Sequence, residues 1–423
     1  MTQAPAEPRK PLLVVGHGIR SAPALQIVEA ASGLCDILWL IDVSVPANAT
    51  TSRLLRKVGT VVDVAGLAPE QIASVLRPYR PDGLVAYRDE DVIALSAIAS
   101  ELSLEYHSPE LARRLLDKVC QREALRDAGL PTPKCWEIPA ERDAQSVRAL
   151  AEQVEFPAIL KPRTGHGSEY ILPVVDPDDL VRKVAALPAH AGGDPGMFVE
   201  QFLADMPPSP EARYADYVSV ESLLSSGEIS HVAVTGRFPL AEPFRETGFV
   251  LPADLPADQR EAVLEVATKA LQALGATAGG FHTEIKMTPD GPRVIEVNGR
   301  LGGGVPEMLS QASGESIMAM SMRIALGEKV VLHGLLSCPR IGWRFFFQPP
   351  TTARKVVSIT GLDRLADKAG VKLVYVHHGP GDPVDWREGT GQFIFEASGV
   401  AESYEEVFEI DRFLHEDVLV TYE

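Results

Sequence analysis

The chain has 423 residues, too long for a single hydrophobic core, so roughly two to four domains are expected. Its make-up, 45% apolar and 23% charged, is that of an ordinary globular protein, and a formal charge of -18 argues against nucleic acid or an anionic membrane surface as partner, because their phosphates would repel it. Four scattered cysteines argue against a disulfide scaffold or zinc cluster and fit a reducing cytoplasm, no run approaches a membrane span, and residues 1–10 lack the apolar stretch of a signal peptide.

Residues 12–15, 37–42, 58–64 and 83–87 read as buried strands, with helical patterns at 24–31, 69–76 and 91–102. Strands alternating with helices imply an α/β unit with a parallel sheet covered on both faces. The loop at 16–21 has Gly16 and Gly18 but lacks the third glycine of a dinucleotide fingerprint. It reads as a tight turn before a helix whose N-terminus could meet a substrate anion. Residues 87–90, Tyr-Arg-Asp-Glu, follow the C-terminal end of a strand, where ligands bind in such sheets. They read equally well as a solvated loop with a capping acid.

Residues 111–128 carry apolar side chains at helical spacing, and Gly129, Pro131 and Pro133 end that run. Lys118 lies within it and alone reads as a solvated charge. A strand at 156–161 ends in Lys161 and leads into a loop at 164–168 that contains Gly165 and Gly167. Such a loop can bring backbone N–H groups to phosphates and can move as a lid, although its spacing is not that of a P-loop. A helix at 178–187, a Gly/Pro-rich loop at 191–196 and a segment at 197–203 follow. Alternation at 217–224 puts Tyr217, Ser219 and Glu221 on one face, with a return strand at 229–234 and Arg237 after it. Residues 239–256 read as an ordered loop, 259–274 as an amphipathic helix and 308–326 as one helical run. The remainder, 330–423, reads as short strands at 342–347, 373–376 and 392–397 and a helix at 404–415, with no chemical signature.

The chemistry concentrates at 281–300, two strands joined by a Pro-Asp-Gly turn. Alternation puts His282, Glu284 and Lys286 on one face, and Val294, Glu296 and Asn298 together on the second strand. Closure around Asp290 sets Glu284 opposite Glu296 and His282 opposite Asn298. Like charges across a ladder repel, so a cation between the two acids would explain the pair. Two carboxylates and an amide oxygen suit Mg²⁺ or Mn²⁺, which completes its shell with water and substrate phosphates. An exposed hairpin with solvated acids is the competing reading.

Taken in order, Asp117-Lys118, residues 128–133, Leu160-Lys161-Pro162, Gly165-x-Gly167-Ser168, Glu200-x-Phe202-Leu203 and Glu284 with Glu296-x-Asn298-x-Arg300 resemble the ATP-grasp superfamily. Within it they resemble carboxylate–amine ligases such as L-amino acid ligases. The resemblance covers residues 10–330, and the tail is similar to the small C-terminal domain of those ligases. It implies an α/β (α+β) protein of ATP-grasp fold: a Rossmann-like domain at 1–108, an ATP-grasp domain at 109–330 with a mobile lid at 134–201, and an α+β domain at 331–423. The implied enzyme is cytoplasmic, commonly a homodimer, and has neither nucleic acid nor membrane as partner.

The same resemblance implies ATP and Mg²⁺ (or Mn²⁺). Lys118 and Lys161 would hold the phosphates, with Gly165, His166, Gly167 and Ser168 closing over them. Glu200, Gln201, Phe202 and Leu203 would take the adenine; Asp216 stands beside Tyr217, which occupies the position where relatives have a ribose-binding acid, and Glu221 would serve either the nucleotide or the substrate. Glu284, Glu296 and Asn298 would hold the metal. Arg300 would neutralise the substrate carboxylate and Arg237 the γ-phosphate. Glu90, Glu246, His282, Gly302, Gly303 and Gly304 would line the substrate site. The implied reaction joins an amino acid or related acid to the amine of an amino acid or peptide through an acyl phosphate, releasing ADP and phosphate. Open alternatives are another ATP-grasp reaction (biotin carboxylation or formate ligation), a non-catalytic ATP-binding regulator, and an NAD enzyme, which the missing third glycine disfavours.

Overall fold

The structure is a computed structural model and describes residues 9–18, 22–187, 196–207 and 213–423. Residues 19–21 of the first expected loop and 191–195 of the Gly/Pro-rich one lie outside the described residues. No helix among the described residues is long and apolar enough to cross a membrane.

Four strands, β1 (Leu12–Gly16), β2 (Asp36–Ile41), β3 (Thr60–Asp63) and β4 (Gly83–Val85), form a parallel sheet in the order β3-β2-β1-β4. Their unbroken apolar runs serve two covered faces. Val15, Trp39 and Ile41 pack toward the helix Ala24–Ala31, while Val14, Leu38 and Leu40 pack toward Pro69–Leu76 and Asp89–Leu102. Gly16 and Gly18 make room for packing. A Cβ on Gly16 would lie 2.6 Å from the Asp91 carboxyl, and one on Gly18 2.5 Å from the Arg88 guanidinium. The glycines make room for the Arg88–Asp91 ion pair, 2.6 Å long.

A second sheet contains β5 (Cys135–Glu137), β6 (Ala158–Pro162), β7 (Leu172–Val174) and β8 (Met197–Gln201), antiparallel in the order β5-β8-β6-β7. Val147 and Leu180, from the helices Ala144–Ala151 and Pro177–Ala185, pack against its Leu160 and Val199.

The largest sheet is antiparallel and contains β9 (Tyr217–Ser225), β10 (Glu228–Arg237), β11 (Gly248–Leu251), β12 (Gly279–Thr288), β13 (Gly291–Asn298), β14 (Ile341–Phe346), β16 (Val371–Val376) and β17 (Phe395–Ala401). Its order is β13-β12-β9-β10-β11-β14-β17-β16. A separate pair joins β15 (Val356–Thr360) to β18 (Leu419–Tyr422). On one face of the large sheet, Val218, Val220, Val234 and Ile285 pack against Val263 and Ala267 of the helix Ala257–Leu274. The opposite face carries the polar side chains described below.

Three expectations need correction. The run 111–128 is two helices, Pro109–Leu116 and Lys118–Asp127, because Asp117 leaves the helical conformation and accepts N–H bonds from Val119 and Cys120. The run 308–326 is also two, Val305–Ser313 and Ile317–Ala325, divided where Gly314 turns left-handed (φ 83°) and Ser316 caps the next helix. The loop 239–256 contains β11, whose apolar residues fill the gap between β10 and β14.

Candidate active site

The β12–β13 hairpin pairs Glu284 with Glu296 and His282 with Asn298, as the alternation requires. Its turn is tighter than a closure around Asp290, because Thr288 pairs with Gly291, and a bulge at Ile295 restores the register. The bulge corrects one expected face. Val294 packs with Phe281 and Val297 in the apolar core, whereas Ile295 joins Glu296 at the cavity wall.

β13 is an edge strand, and the helix Lys118–Asp127 covers its open backbone. The Gln121 side-chain amide accepts from the Val297 N–H (2.8 Å) and donates to the Val297 carbonyl (2.9 Å). Arg122 donates to the bulged Ile295 carbonyl. Lys118, Gln121 and Arg122 stand at i, i+3 and i+4 and form one buried polar face. That spacing is the sequence signal by which Arg122 could have been found.

A cavity of about 430 Å³ lies between the second sheet and the large sheet. Lys118 and Lys161 enter it, both buried. Lys118 Nζ lies 2.9 Å from Glu296 and donates to the Gly165 carbonyl at 2.7 Å. Lys161 pairs with one oxygen of Glu200, and Arg122 holds the other at 2.6 Å. Burial lowers the Lys161 pKa, and the Glu200 carboxylate opposes it. Glu200 thereby positions Lys161 while lining the cavity itself. Gln201, Phe202 and Leu203 line the same cavity. Gly165 (φ 134°) and Gly167 (φ 61°) adopt backbone angles that favour glycine, and they bend the loop through Ser168 around the cavity. His166 lies 3.7 Å from Glu90. Asp216 borders the cavity, paired with Lys286 at 2.7 Å and accepting the Met206 N–H at 2.8 Å.

Glu221 does not reach this cavity. It is fully buried, pairs with His282, and accepts the Gly302 N–H at 3.0 Å. This removes Glu221 as a nucleotide contact and Gly302 as a free N–H donor toward substrate. Burial disfavours charge on His282, but Glu221 and Glu284 outweigh it and raise its pKa to about 9. Burial likewise opposes ionisation of Glu284, yet His282, then Arg237 and Arg300, hold its pKa well below the usual carboxylate range. Glu284 is therefore an anion held on the His282 side, 3.5 Å away, while Glu296 lies on the Lys118 side.

Two opposed carboxylates, with Asn298 at the neighbouring paired position, are a donor set that fits a hard divalent ion. No cluster of three His, Cys, Asp or Glu forms an all-protein cage among the described residues. A metal here would complete its shell with water and phosphate oxygens, as Mg²⁺ does.

A second cavity, about 460 Å³, shares Glu284, Glu246, His166 and Gly167 with the first. Arg300 lines it and pairs with Asp89 at 2.6 Å; burial opposes its charge, and Asp89 restores it. Arg237 donates to Glu246 and Ser219, both at 3.0 Å, and lies 4.1 Å from the Phe249 ring centre. Glu90, His282, Gly303 and Gly304 also face this cavity. The sequence reading placed Asp89 in the 87–90 loop and Lys286 on the face of His282 and Glu284 without giving either a role, and it missed Arg344. Arg344 comes from the tail that showed no chemical signature, and so do His377 and Phe393 on the same wall.

Residues 154–307 match the family model described as "ATP-grasp domain". Carnosine synthase 1 of Gallus gallus is 27% identical over 278 residues, covering 62% of this chain and 29% of that protein. Alanine--anticapsin ligase of Bacillus subtilis (strain 168) is 26% identical over 246 residues, covering 55% of this chain and 51% of that protein. The chain thus spans about half or less of these two relatives. The crystal structure of L-amino acid ligase from Bacillus licheniformis superposes with a TM-score of 0.78 at 22% identity, over 98% of this chain and 100% of that one. The chain therefore carries an ATP-grasp domain and has the fold of an L-amino acid ligase.

Proposed function

We propose that this protein is an ATP-dependent ligase that joins a carboxylate to an amine through an acyl phosphate, with amino acids or peptides as substrates. One observation carries the reading: Glu284 lines both cavities, so a chamber lined by Lys118 and Lys161 and a chamber lined by Arg237 and Arg300 meet at one candidate metal ligand. Lys118 and Lys161 suit the phosphates, and Arg300 a carboxylate beside them.

A carboxylate is a poor electrophile because its leaving group would be oxide. ATP supplies the γ-phosphoryl group that corrects this, and Mg²⁺ supplies charge neutralisation. The protein contributes positioning and electrostatics. Glu284, Glu296 and Asn298 would hold the metal, and the His282–Glu221 pair keeps Glu284 ionised and in place. Arg300, fixed by Asp89, would hold the carboxylate in line, and Arg237 would meet the negative charge that develops between the chambers. The loop 164–168 would exclude water, with 134–201 as the moving lid, and so protect the activated acid from hydrolysis.

The test is ADP release by purified protein over a matrix of amino-acid pairs, with products read by mass spectrometry. Glu296→Ala and Arg300→Ala should fold and lose about 100- to 1,000-fold in rate, as loss of one transition-state charge contact does. Wild-type turnover in either variant sinks the assignment. ADP release that depends on bicarbonate with biotin, or on formate, replaces it with another ATP-grasp reaction.

A further inference from the structure

The register of the large sheet carries one cation further than the sequence motifs reach. Arg237 on β10 pairs with Phe249 on β11, and Phe249 pairs with Arg344 on β14. Residues directly opposed across a ladder project from the same face, so these three form a row, two strand spacings or about 10 Å long. Trp343 and Phe345 point the other way, into the core.

Arg344 is held rigidly. Its Nε and Nη2 both donate to one oxygen of Glu396, the first at 2.9 Å, and Glu396 is only 6% exposed. Nη1 is left with the Glu307 carboxylate at 3.9 Å, beyond hydrogen-bond reach. That nitrogen is aimed at Gly304, where a Cβ would stand 2.2 Å from it. The missing side chain at Gly304 is what admits the guanidinium. Gly304 also caps the helix Val305–Ser313, whose N-terminal dipole adds to the positive field at that spot. Arg344 and Gly304 both line the second cavity, with Phe249 and Phe346 as apolar walls beside them.

We propose that Arg344 anchors the carboxylate of the amine substrate, so that the acceptor is an amino acid or peptide, not a simple amine. The assignment rests on the ligase reading above and deepens it. A ligase whose two substrates both carry carboxylates must activate one and spare the other. Arg300 sits beside Glu284 and Asp89, next to the phosphate chamber. Arg344 sits on the far side of Phe249 from Arg237, where a bound carboxylate is kept about two strand spacings away from phosphoryl transfer. Its free Nη1 is a charged donor suited to a carboxylate.

The experiment first finds the best acceptor among the proteinogenic L-amino acids, then compares that acceptor with its carboxamide. Wild type should prefer the free acid. Arg344→Met should reduce the acid-to-amide ratio of kcat/KM by about 10- to 100-fold, the worth of one charged hydrogen bond, by raising the acceptor KM while the donor KM holds. Because Arg344→Met leaves the buried Glu396 with His377 alone, at 3.4 Å, the double variant Arg344→Met/Glu396→Gln is measured beside it and should show the same ratio. Arg344→Lys should restore part of the preference. An unchanged ratio in a folded variant, or a KM rise confined to the activated acid, overturns the role of Arg344 and leaves the ligase reading standing. Absence of acceptor-dependent ADP release in wild type sinks both.

Discussion

Arg122, Glu200 and Lys161 form a chain of charges in which each member is almost fully buried. A buried pair of this kind contributes little against an apolar replacement, but removing one partner strands the others. Glu200→Ala leaves two cations without their shared anion, and it should lower stability by about 3–5 kcal/mol. The loss should appear as a lower melting temperature, together with weaker binding of a non-hydrolysable ATP analogue as Lys161 loses its aim. Glu200→Gln should fall between that variant and wild type. An unchanged melting temperature in Glu200→Ala counts against the chain of charges. At this scale the sequence was legible where a residue type broke a pattern. Lys161 ends an apolar strand before glycines, and two acids face each other across a hairpin. Arg122 was passed over, because a charged side chain on a short helix reads by default as solvated, although its spacing from Lys118 carried the signal. Asp89 and Glu90 are adjacent, and composition does not say which of two neighbouring acids turns toward an arginine.

The elements around the glycine-rich loop show how the tail takes part in the site. The Thr390 N–H donates to the Gly167 carbonyl at 2.7 Å, and the Tyr170 N–H to the Arg387 carbonyl at 3.0 Å. Ser168 Oγ donates to the Phe244 carbonyl at 2.8 Å. Gly389 makes this docking possible. Its φ is 79°, and a Cβ there would lie 2.1 Å from the Gly167 oxygen. Gly389→Ala should therefore keep the loop from seating on the segment 387–390. In the proposed reaction this would expose the acyl phosphate to water, so ADP released per amide formed should rise, and proteolysis within 164–168 should quicken. Tight coupling and unchanged proteolysis would tell against the docking. The elements themselves were mostly legible from periodicity. The helices Ala24–Ala31 and Pro69–Leu76 fall where their apolar spacing puts them. The breaks at Asp117 and Gly314 were hidden because apolar spacing continues across them, and β11 because its four residues sit among prolines and charges.

Across the whole molecule, the large sheet runs from the Glu284–Glu296 hairpin at one edge to the tail strands at the other, and its register sets Arg237 and Arg344 on one face. That order was not legible, since pairing of β11 with β14 and of β14 with β17 depends on packing between segments far apart in sequence. The seam between the parallel sheet and the large sheet is filled by groups that must stay neutral. His107 packs against Tyr106 and Phe281, its rings 4.5 and 5.2 Å away, and its Nε2 bonds the Gly299 carbonyl at 3.0 Å, which requires the Nε2–H tautomer. Burial lowers its pKa from 6.5 to about 4, against the favourable bond to Gly299. The unfolded chain therefore binds a proton that the folded chain refuses between pH 6.5 and 4. Stability is complete above 6.5 and is lost as pH falls toward 4, by about 3 kcal/mol for this residue. His17, also lowered to about 4 by burial and by Arg88, acts in the same direction. The melting temperature of wild type should fall through this window faster than that of His107→Gln, which keeps a donor for Gly299 but cannot titrate. His107→Gln should be less stable at pH 7 and converge with wild type near pH 4. Parallel curves over that range would show that His107 already carries its proton in the folded protein.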